Sequence, residues 1–410
     1  MSQVKLSVLT FNIWDLFVAR HRTWRMRAIV EELRSPNYDG AVRYHDIVAF
    51  QEMWSTDTYR YFRSHLRDIL PYSHYFDRGA MGSGLAIFSK YPIVQVHFKA
   101  FSLNGQPDRI TDGDWFATKG VGHARIQHPK AVLDVFTTHL IADYSERPFR
   151  SDNYLAHRLT QTYELVEFVE SHSSGSVTLV MGDFNFEKSR LEWKTFLENH
   201  QTLASVFGSE DQVDTWCTCN CPSNGYSKPD SVPKTIDYIM YSKDALKLDS
   251  VGRAFTANLR ENPKAIWKGI DKDGIPQSYS DHFAVTSLFT IVNSPARTKL
   301  ADKETPDKVI CDKTLQILRT EVKTVSEHRQ RYILSSVVSF VLLLILCLVL
   351  GTMLAKTPNT TYPFYWMLVI LPLLSASVFF YTCLYTLHSP RETALLSQFV
   401  SEIQYYIQNL

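Results

Sequence analysis

The chain has 410 residues, 45% of them hydrophobic, with a formal net charge of +1. That size allows one large domain with an appendage or two ordinary domains, and the near-neutral charge argues against a dedicated nucleic-acid binder, which usually carries a strongly basic face. Six cysteines in so long a chain do not form a disulfide framework. Met1–Leu9 lacks the charged start and long apolar run of a signal peptide, so the N-terminal part is expected in the cytosol.

Up to about Asn293 the pattern is mixed α/β. Strands are expected at Val4–Ile13, Asp46–Gln51, Gly84–Ser89, Val132–Thr138, Val177–Met181, Thr235–Tyr241 and Phe283–Ile291, all short and rich in β-branched residues. Helices are expected at Arg22–Arg34 and Tyr154–His172, where apolar residues recur at helical spacing. Composition changes at Ser294-Pro295, and Ala296–Lys308 reads as a linker. Helical periodicity returns over Cys311–Arg331. Ile333–Ala355 and Tyr362–Leu387 are uncharged runs long enough to cross a bilayer, with Pro372 expected to kink the second. Tyr362, Phe364, Tyr365 and Trp366 suit the membrane interface.

Lys323, Arg329 and Arg331 precede the first span and Arg391 follows the second. The positive-inside rule then places both the large domain and the tail in the cytosol. Short spans without a lumenal domain favour the endoplasmic reticulum. The sequon at Asn359 sits too close to both spans to be modified. The tail from Glu392 to Leu410 is amphipathic and either lies on the membrane or packs on the spans. The expected division is 1–293 catalytic, 294–332 linker and juxtamembrane helix, 333–387 membrane hairpin and 388–410 tail.

The chemistry-bearing residues cluster at expected strand ends. Glu52 ends the apolar run Ile47–Phe50, where an uncompensated acid is costly, and is the first choice as a metal ligand. Asn12 offers an amide oxygen or satisfies a turn. His139 follows Val132–Phe136 and can donate to a phosphate oxygen or a leaving group. Gly182-Asp183-Phe184-Asn185 closes another apolar run; Asp183 suits metal or water, and Asn185 suits phosphate. Asp237 lies in an apolar strand and needs a partner. His282 is an attractive one, because a carboxylate on one imidazole nitrogen fixes the tautomer and raises the basicity of the other. Acids and amides of this kind suit Mg²⁺-assisted cleavage of a phosphodiester.

Asn12, Gln51-Glu52, His139, Gly182–Asn185, Ile236-Asp237-Tyr238 and Ser280-Asp281-His282 match, in order, the motifs of the endonuclease/exonuclease/phosphatase superfamily. The resemblance covers about residues 4 to 291 and implies a four-layer α/β sandwich of DNase I-like type, followed here by a transmembrane helical hairpin. His21-Arg22 followed by Arg25-Met26-Arg27, Gly82–Leu85, Leu103–Gly105, Gly113–Phe116, Lys119–Gly122 and Tyr154–Arg158 resemble the Mg²⁺-dependent neutral sphingomyelinases, particularly the type-1 enzymes. By that resemblance Glu52 and Asn12 hold Mg²⁺, His282 is the general base and Asp237 orients it. Asp281 supports the metal or water network, Asp183 and Asn185 position phosphate and nucleophile, and His139 stabilises the transition state or the leaving group. Lys119 becomes a candidate phosphate contact, restrained by Asp114. The implied substrate is membrane sphingomyelin, with lyso-phosphocholine lipids, ceramide phosphoethanolamine, phosphoinositides or nucleic acid as alternatives on the same scaffold; an inactive membrane scaffold is the non-enzymatic alternative.

Three features carry less weight. Gly82-Ser83-Gly84 reads as a tight turn and not as a nucleotide loop. Cys217, Cys219 and Cys221 suggest a soft-metal site but lack a fourth ligand at ordinary zinc spacing. Arg20, Arg22, Arg25 and Arg27 face either anionic lipid or water.

Overall fold

The computed structural model describes residues 4–35, 45–79, 81–145, 152, 154–174, 177–199, 202–208, 216–261, 274–292, 308–356 and 362–408. They form two compact units, Met1–Ile310 and Cys311–Leu410.

In the first unit the elements run β1 (Lys5–Asn12), α1 (Arg22–Arg34), β2 (Ile47–Gln51), α2 (Thr56–Leu66), β3 (Tyr72–Tyr75), β4 (Ala86–Ser89), β5 (Ile93–Ala100), β6 (Gly120–His128) and β7 (Ala131–His139). They continue with α3 (Leu155–His172), β8 (Val177–Asp183), α4 (Leu191–Asn199), β9 (Leu203–Ser205), β10 (Asp237–Ser242), β11 (Leu246–Ala254) and β12 (Ala284–Ile291). Two six-stranded sheets result, ordered β11-β12-β1-β2-β4-β3 and β5-β6-β7-β8-β10-β9. Both are mixed: β1–β2 and β7–β8 are parallel pairs, while β1–β12 and β8–β10 are antiparallel.

Alternation along the strands sorts residues into layers. Leu6 and Val8 of β1, Ile47 and Ala49 of β2, Val135 of β7 and Leu179 and Met181 of β8 belong to one buried cluster between the sheets. Leu9 and Phe11, on the opposite face of β1, pack with Met26, Ile29 and Leu33 of α1 and Phe62 and Leu66 of α2. Leu165, Val169, Trp193 and Phe196 of α3 and α4 join the core around the second sheet. Helix, sheet, sheet and helix make the four expected layers. Local signals agree: the Ser55 hydroxyl accepts the first free amides of α2, from Asp57 and Thr58.

The β5–β6 hairpin is not visible in the sequence pattern. No residue of its edge strand is fully buried, and a register shift between Ile93 and Gln95 breaks the alternation. Gly122 takes the place of a large residue in β6 because an added Cβ would lie 2.5 Å from the Phe76 ring.

In the second unit the expected juxtamembrane helix and first span are one continuous helix, α5 (Lys308–Lys356). At about 1.5 Å per residue it is longer than a bilayer is thick, and only its apolar part suits a crossing. The second span is α6 (Tyr362–Cys383), which contains Pro372, and a π-helical segment, Leu384–His388, joins it to α7 (Ser389–Gln408) without a non-helical break. The Ser336 and Thr382 hydroxyls meet at 2.8 Å and those of Ser339 and Ser377 at 2.9 Å, tying α5 to α6 through small polar residues. Leu342, Leu344, Ile345, Leu348, Leu373 and Phe379 point outward, as lipid-facing residues do. Leu396, Phe399 and Ile403 of α7 are buried, so the apolar face of the tail is covered by protein. The linker at 293–307 and the connection at 357–361, with the sequon at Asn359, lie outside the described residues.

Candidate active site

The strand face that carries the inter-sheet core turns polar at one end. Along β1 it passes from Leu6 and Val8 to Thr10 and Asn12; along β2, from Ile47 and Ala49 to Gln51. Along β7 it passes from Leu133 and Val135 to Thr137 and His139, and along β8 from Leu179 and Met181 to Asp183. Thr10 donates to Gln51 Oε1 (3.2 Å), and Gln51 Nε2 donates to the Thr137 hydroxyl (3.0 Å). This polar layer joins the two sheets and floors the site. Gln51 therefore has a structural task that its place beside Glu52 in the motif did not reveal.

Asp183 and Asp237 are direct partners in the β8–β10 register. Asp237 Oδ2 accepts a hydrogen bond from His282 Nδ1 at 2.8 Å, with all three side chains buried. Asp183, Asp237 and His282 place ligand atoms within 4.8 Å of one another and can hold a metal ion. Burial, and then the charge of Asp237, push the Asp183 carboxyl up to about 7. Burial alone would lower His282, but Asp237 and Cys219 raise it well above the usual imidazole range.

Asn12 bridges this group to a second one. Its Nδ2 donates to Asp183 Oδ2 (3.0 Å) and to Glu52 Oε1 (3.1 Å). Glu52 adopts φ 55°, a left-handed conformation that turns its side chain off the end of β2 into the site. The Trp54 indole reaches Glu52 Oε2 at 3.4 Å, and Trp54 lies flat on Gly84, where a Cβ would meet the ring at 3.1 Å. Gly84 itself has φ +69°, which supports the tight-turn reading of Gly82–Gly84. Burial first, then the charge of Asp281, raise the Glu52 carboxyl. Asp281 therefore stands within electrostatic reach of Glu52. Its Oδ1 lies 3.1 Å from the Ser280 hydroxyl.

On the far side Lys119 is buried, with Nζ 3.2 Å from Asp114 Oδ1 and 2.8 Å from His139 Nε2. Asp114 restrains the lysine as expected, and Tyr144 donates to the other Asp114 oxygen at 2.8 Å. Burial, then the charges of Lys119 and His282, hold His139 well below the usual range, so the ring is neutral and Nε2 accepts from the ammonium. His139 Nε2 also lies 3.5 Å from Asp183 Oδ2. Asn185, at φ 53°, is anchored by Nδ2 to the Leu140 carbonyl (2.9 Å), while its backbone amide donates to Asp183 Oδ1 (3.0 Å). All nine expected site residues thus gather at one end of the two sheets.

Two expectations change. Cys217 and Cys221 form a disulfide, which removes both from any zinc site. Cys219 remains a thiol, bridged in register to His282 and within hydrogen-bonding reach of its ring; burial keeps that thiol neutral. Thr218 beside it accepts from the amides of Ile236 and Asp237 (3.2 and 3.3 Å), which fixes the start of β10. Neither residue carried a signal beyond its cysteine spacing. Arg25 does not face lipid or water. It is fully buried and donates to the carbonyls of Ile13, Trp14, Arg20 and Tyr279, clamping the loop after Asn12 to the segment before Ser280.

The donor set fits a divalent cation. Carboxylates and one amide converge, the Glu52 and Asp183 carboxyls are each raised by burial and a neighbouring carboxylate, and Asp237 Oδ1 is buried without a hydrogen-bond partner. Uncompensated buried acids of this kind are stable as carboxylates only beside a cation.

The model of the Endonuclease/Exonuclease/phosphatase family matches residues 9–282. The chain belongs to this family. The matched span runs from just before Asn12 to His282 and so contains the whole site. The chain is similar to the inositol phosphosphingolipids phospholipase C of Schizosaccharomyces pombe, 31% identical over 321 residues, which cover 71% of this chain and 70% of that one. It is also similar to sphingomyelin phosphodiesterase 2 of Mus musculus, 34% identical over 251 residues, 58% of this chain and 56% of the relative. A putative neutral sphingomyelinase of Drosophila melanogaster is 34% identical over 229 residues, 55% of this chain and 48% of that one. The alignments thus take in about half the length of these last two relatives. Among solved structures, a beta toxin from Staphylococcus aureus superposes with a TM-score of 0.50 at 21% identity, over 69% of this chain and 99% of the toxin. That likeness establishes the DNase I-like fold.

Proposed function

We propose that this chain is a membrane-anchored, Mg²⁺-dependent phosphodiesterase of phospholipase C type that hydrolyses sphingomyelin to ceramide and phosphocholine. The observation that carries the reading is the buried Asp237–His282 pair at 2.8 Å, set across Asp183 from the Asn12–Glu52 pair in a family-matched span. The names of the relatives supply the substrate class.

Glu52 and Asn12, with Asp281 in support, would hold Mg²⁺; when bound, the ion neutralises phosphate charge and, as a nearby cation, favours the neutral form of His282. Asp237 fixes the His282 tautomer so that the nitrogen facing the site accepts the proton of the attacking water. Asp183 and Asn185 orient that water and the phosphate. Lys119, placed by Asp114 and His139, supplies positive charge where the phosphorane develops negative charge. The ceramide oxygen leaves toward His139 and takes its proton from solvent, to which His282 returns the one it accepted.

The helices α5 and α6 would hold the catalytic unit at the surface of its substrate. Flanking basic residues favour a cytosolic catalytic unit, and the short hairpin favours the endoplasmic reticulum.

The test follows phosphocholine release from sphingomyelin by the full chain in detergent micelles, with Mg²⁺, with EDTA, and with Glu52→Ala. Mg²⁺-dependent release abolished by both controls supports the proposal; no release from any phosphosphingolipid overturns it. A second reading, an inositol phosphate head group in place of phosphocholine, is favoured by the 31% identity to the yeast phospholipase C over 321 residues. Faster release of inositol phosphate than of phosphocholine would establish it.

A further inference from the structure

The first unit distributes its exposed apolar side chains unevenly. Among the described residues 4–292, nine large apolar side chains are exposed, and six of them, Phe17, Val18, Ile110, Trp115, Phe116 and Val232, lie in the loops 13–21, 101–119 and 216–236. Those loops leave β1 after Asn12, join β5 to β6, and enter β10 at Asp237. Asn12 pairs in register with Gln51, Gly120 at the start of β6 with His139, and Asp237 with Asp183. All three loops therefore rim the candidate active site. The other three, Tyr72, Val94 and Val292, stand singly at the opposite end of the sheets.

Anchored turns hold the rim residues out. Phe17 and Val18 are 74% and 76% exposed. Their turn closes with the Ala19 amide on the Leu16 carbonyl (2.9 Å) and stands on Asp15, a buried carboxylate that accepts from Arg22 (2.6 Å) and Thr58 (3.0 Å). Ile110 is 65% exposed, and Trp115 and Phe116 follow it with their rings edge to face at 5.2 Å. Beneath them the Tyr144 hydroxyl lies 2.8 Å from the Asp112 carbonyl, Tyr154 donates to the Asp112 carboxylate (3.1 Å), and Asn104 donates to the Asp114 carbonyl (3.0 Å). Apolar area facing water is unfavourable, so a scaffold that keeps it there points to a partner.

Side-chain type and charge select a bilayer surface. Trp and Phe favour the boundary between lipid head groups and acyl chains. The exposed charged residues of the three loops are Arg20, Asp108, Lys228 and Asp230, two of each sign. A rim without a dominant charge is complementary to a zwitterionic surface and not to nucleic acid. The same chain carries α5 and α6, which are long and apolar enough to cross a membrane, so lipid is present wherever the unit is.

We propose that this rim is a bilayer-docking surface of the catalytic unit. Phe17, Val18, Ile110, Trp115 and Phe116 enter the head-group region of a zwitterionic bilayer and bring the site to the depth of a lipid phosphodiester. The proposal rests on the lipid-substrate reading above. A tether fixes how far the unit strays from the membrane but not which way it faces, and the rim supplies that orientation. Each large side chain moved from water into the interface favours the docked state about tenfold.

The test uses the full chain reconstituted in vesicles of phosphatidylcholine and sphingomyelin, with the photo-cross-linker p-benzoylphenylalanine in place of Phe17, Phe116 or, at the opposite end, Tyr72. Irradiation should give lipid adducts on the Phe17 and Phe116 peptides and none on the Tyr72 peptide. No lipid adduct at the rim, equal adducts on all three peptides, or adducts to a second copy of the chain instead, overturn the proposal. Turnover is the second readout. Phe17→Ser/Val18→Ser and Ile110→Ser/Trp115→Ser should each lower hydrolysis of vesicle sphingomyelin at least about tenfold, while hydrolysis of water-soluble p-nitrophenylphosphorylcholine stays at the wild-type rate. Unchanged vesicle turnover, or an equal loss on both substrates, counts against docking. Rim adducts in a protein that hydrolyses no phosphosphingolipid support the docking surface and overturn the catalytic reading alone; hydrolysis without rim adducts does the reverse.

Discussion

Asp237 and His282 stand 45 positions apart in the chain and 2.8 Å apart in the fold. Two independent pairings bring them together: β10 lies against β8, and β12 lies against β1. The bond uses Nδ1 and leaves the other ring nitrogen to the site. His282→Ala should lower turnover by about 10²–10⁴-fold with the fold intact. Asp237→Asn should lower the maximum rate and also move the acid limb of the pH–rate profile to lower pH, because Asp237 raises the His282 titration. Phosphocholine release measured across the neutral range and into acid checks both, and an unmoved acid limb would show that His282 is not the titrating base.

Glu52 is expected to act through the metal. Glu52→Gln should raise the Mg²⁺ concentration for half-maximal rate at least about tenfold, since it replaces a charged ligand by a neutral one. Because burial and Asp281 disfavour its carboxylate, the same variant should melt higher than wild type in EDTA. Metal titrations of rate, paired with melting curves, separate the two effects. A wild-type Mg²⁺ dependence would remove Glu52 from the ligand set.

Asp183 makes stability depend on pH. Its titration is raised from 3.8 to about 7, so the folded state holds a proton that the unfolded state has already released. Between those values the folded state binds more protons, and stability falls as pH rises through the window. Without divalent ion, Asp183→Asn should match wild type near the lower limit and melt higher above the upper one. Melting curves in EDTA across that range decide it, and identical curves for the two proteins would mean that the carboxyl titrates normally.

Lys119 and Asp114 are a buried ion pair, so breaking it and losing its function need separating. Lys119→Met alone should cost about 3–5 kcal/mol, by leaving Asp114 uncompensated. Lys119→Met/Asp114→Asn should recover most of that stability without recovering turnover. Recovered turnover in the double variant would reduce Lys119 to a structural role.

Membrane topology sets two features against each other. Arg329, Arg331 and Arg391 favour a cytosolic catalytic unit, whereas the Cys217–Cys221 disulfide belongs more often to oxidising compartments. Protease added to intact microsomes should digest the catalytic unit. Full protection until detergent is added would reverse the orientation and leave the disulfide in its usual setting.

Seven strands, two helices and the membrane runs were legible in the chain because each is a local signal. Apolar runs such as Val177–Met181 need no partner to be recognised, and uncharged runs such as Ile333–Ala355 are set by length alone. The site residues were legible because each is a polar residue closing an apolar strand, where its burial is otherwise costly. The β5–β6 hairpin was not, since a register shift between Ile93 and Gln95 breaks the alternation of its edge strand and Gly122 depends on the distant Phe76 ring.

Local order along the chain thus determined which residues carry the chemistry and that two segments suit a membrane. Only the tertiary structure decided how they are used. Arg25 became a buried clamp because four carbonyls from two separate segments converge on it. Cys219 came to face His282 while its neighbours paired with each other. Such contacts arise between residues far apart in the chain, whose spacing carries no period that links them, so packing alone selects them.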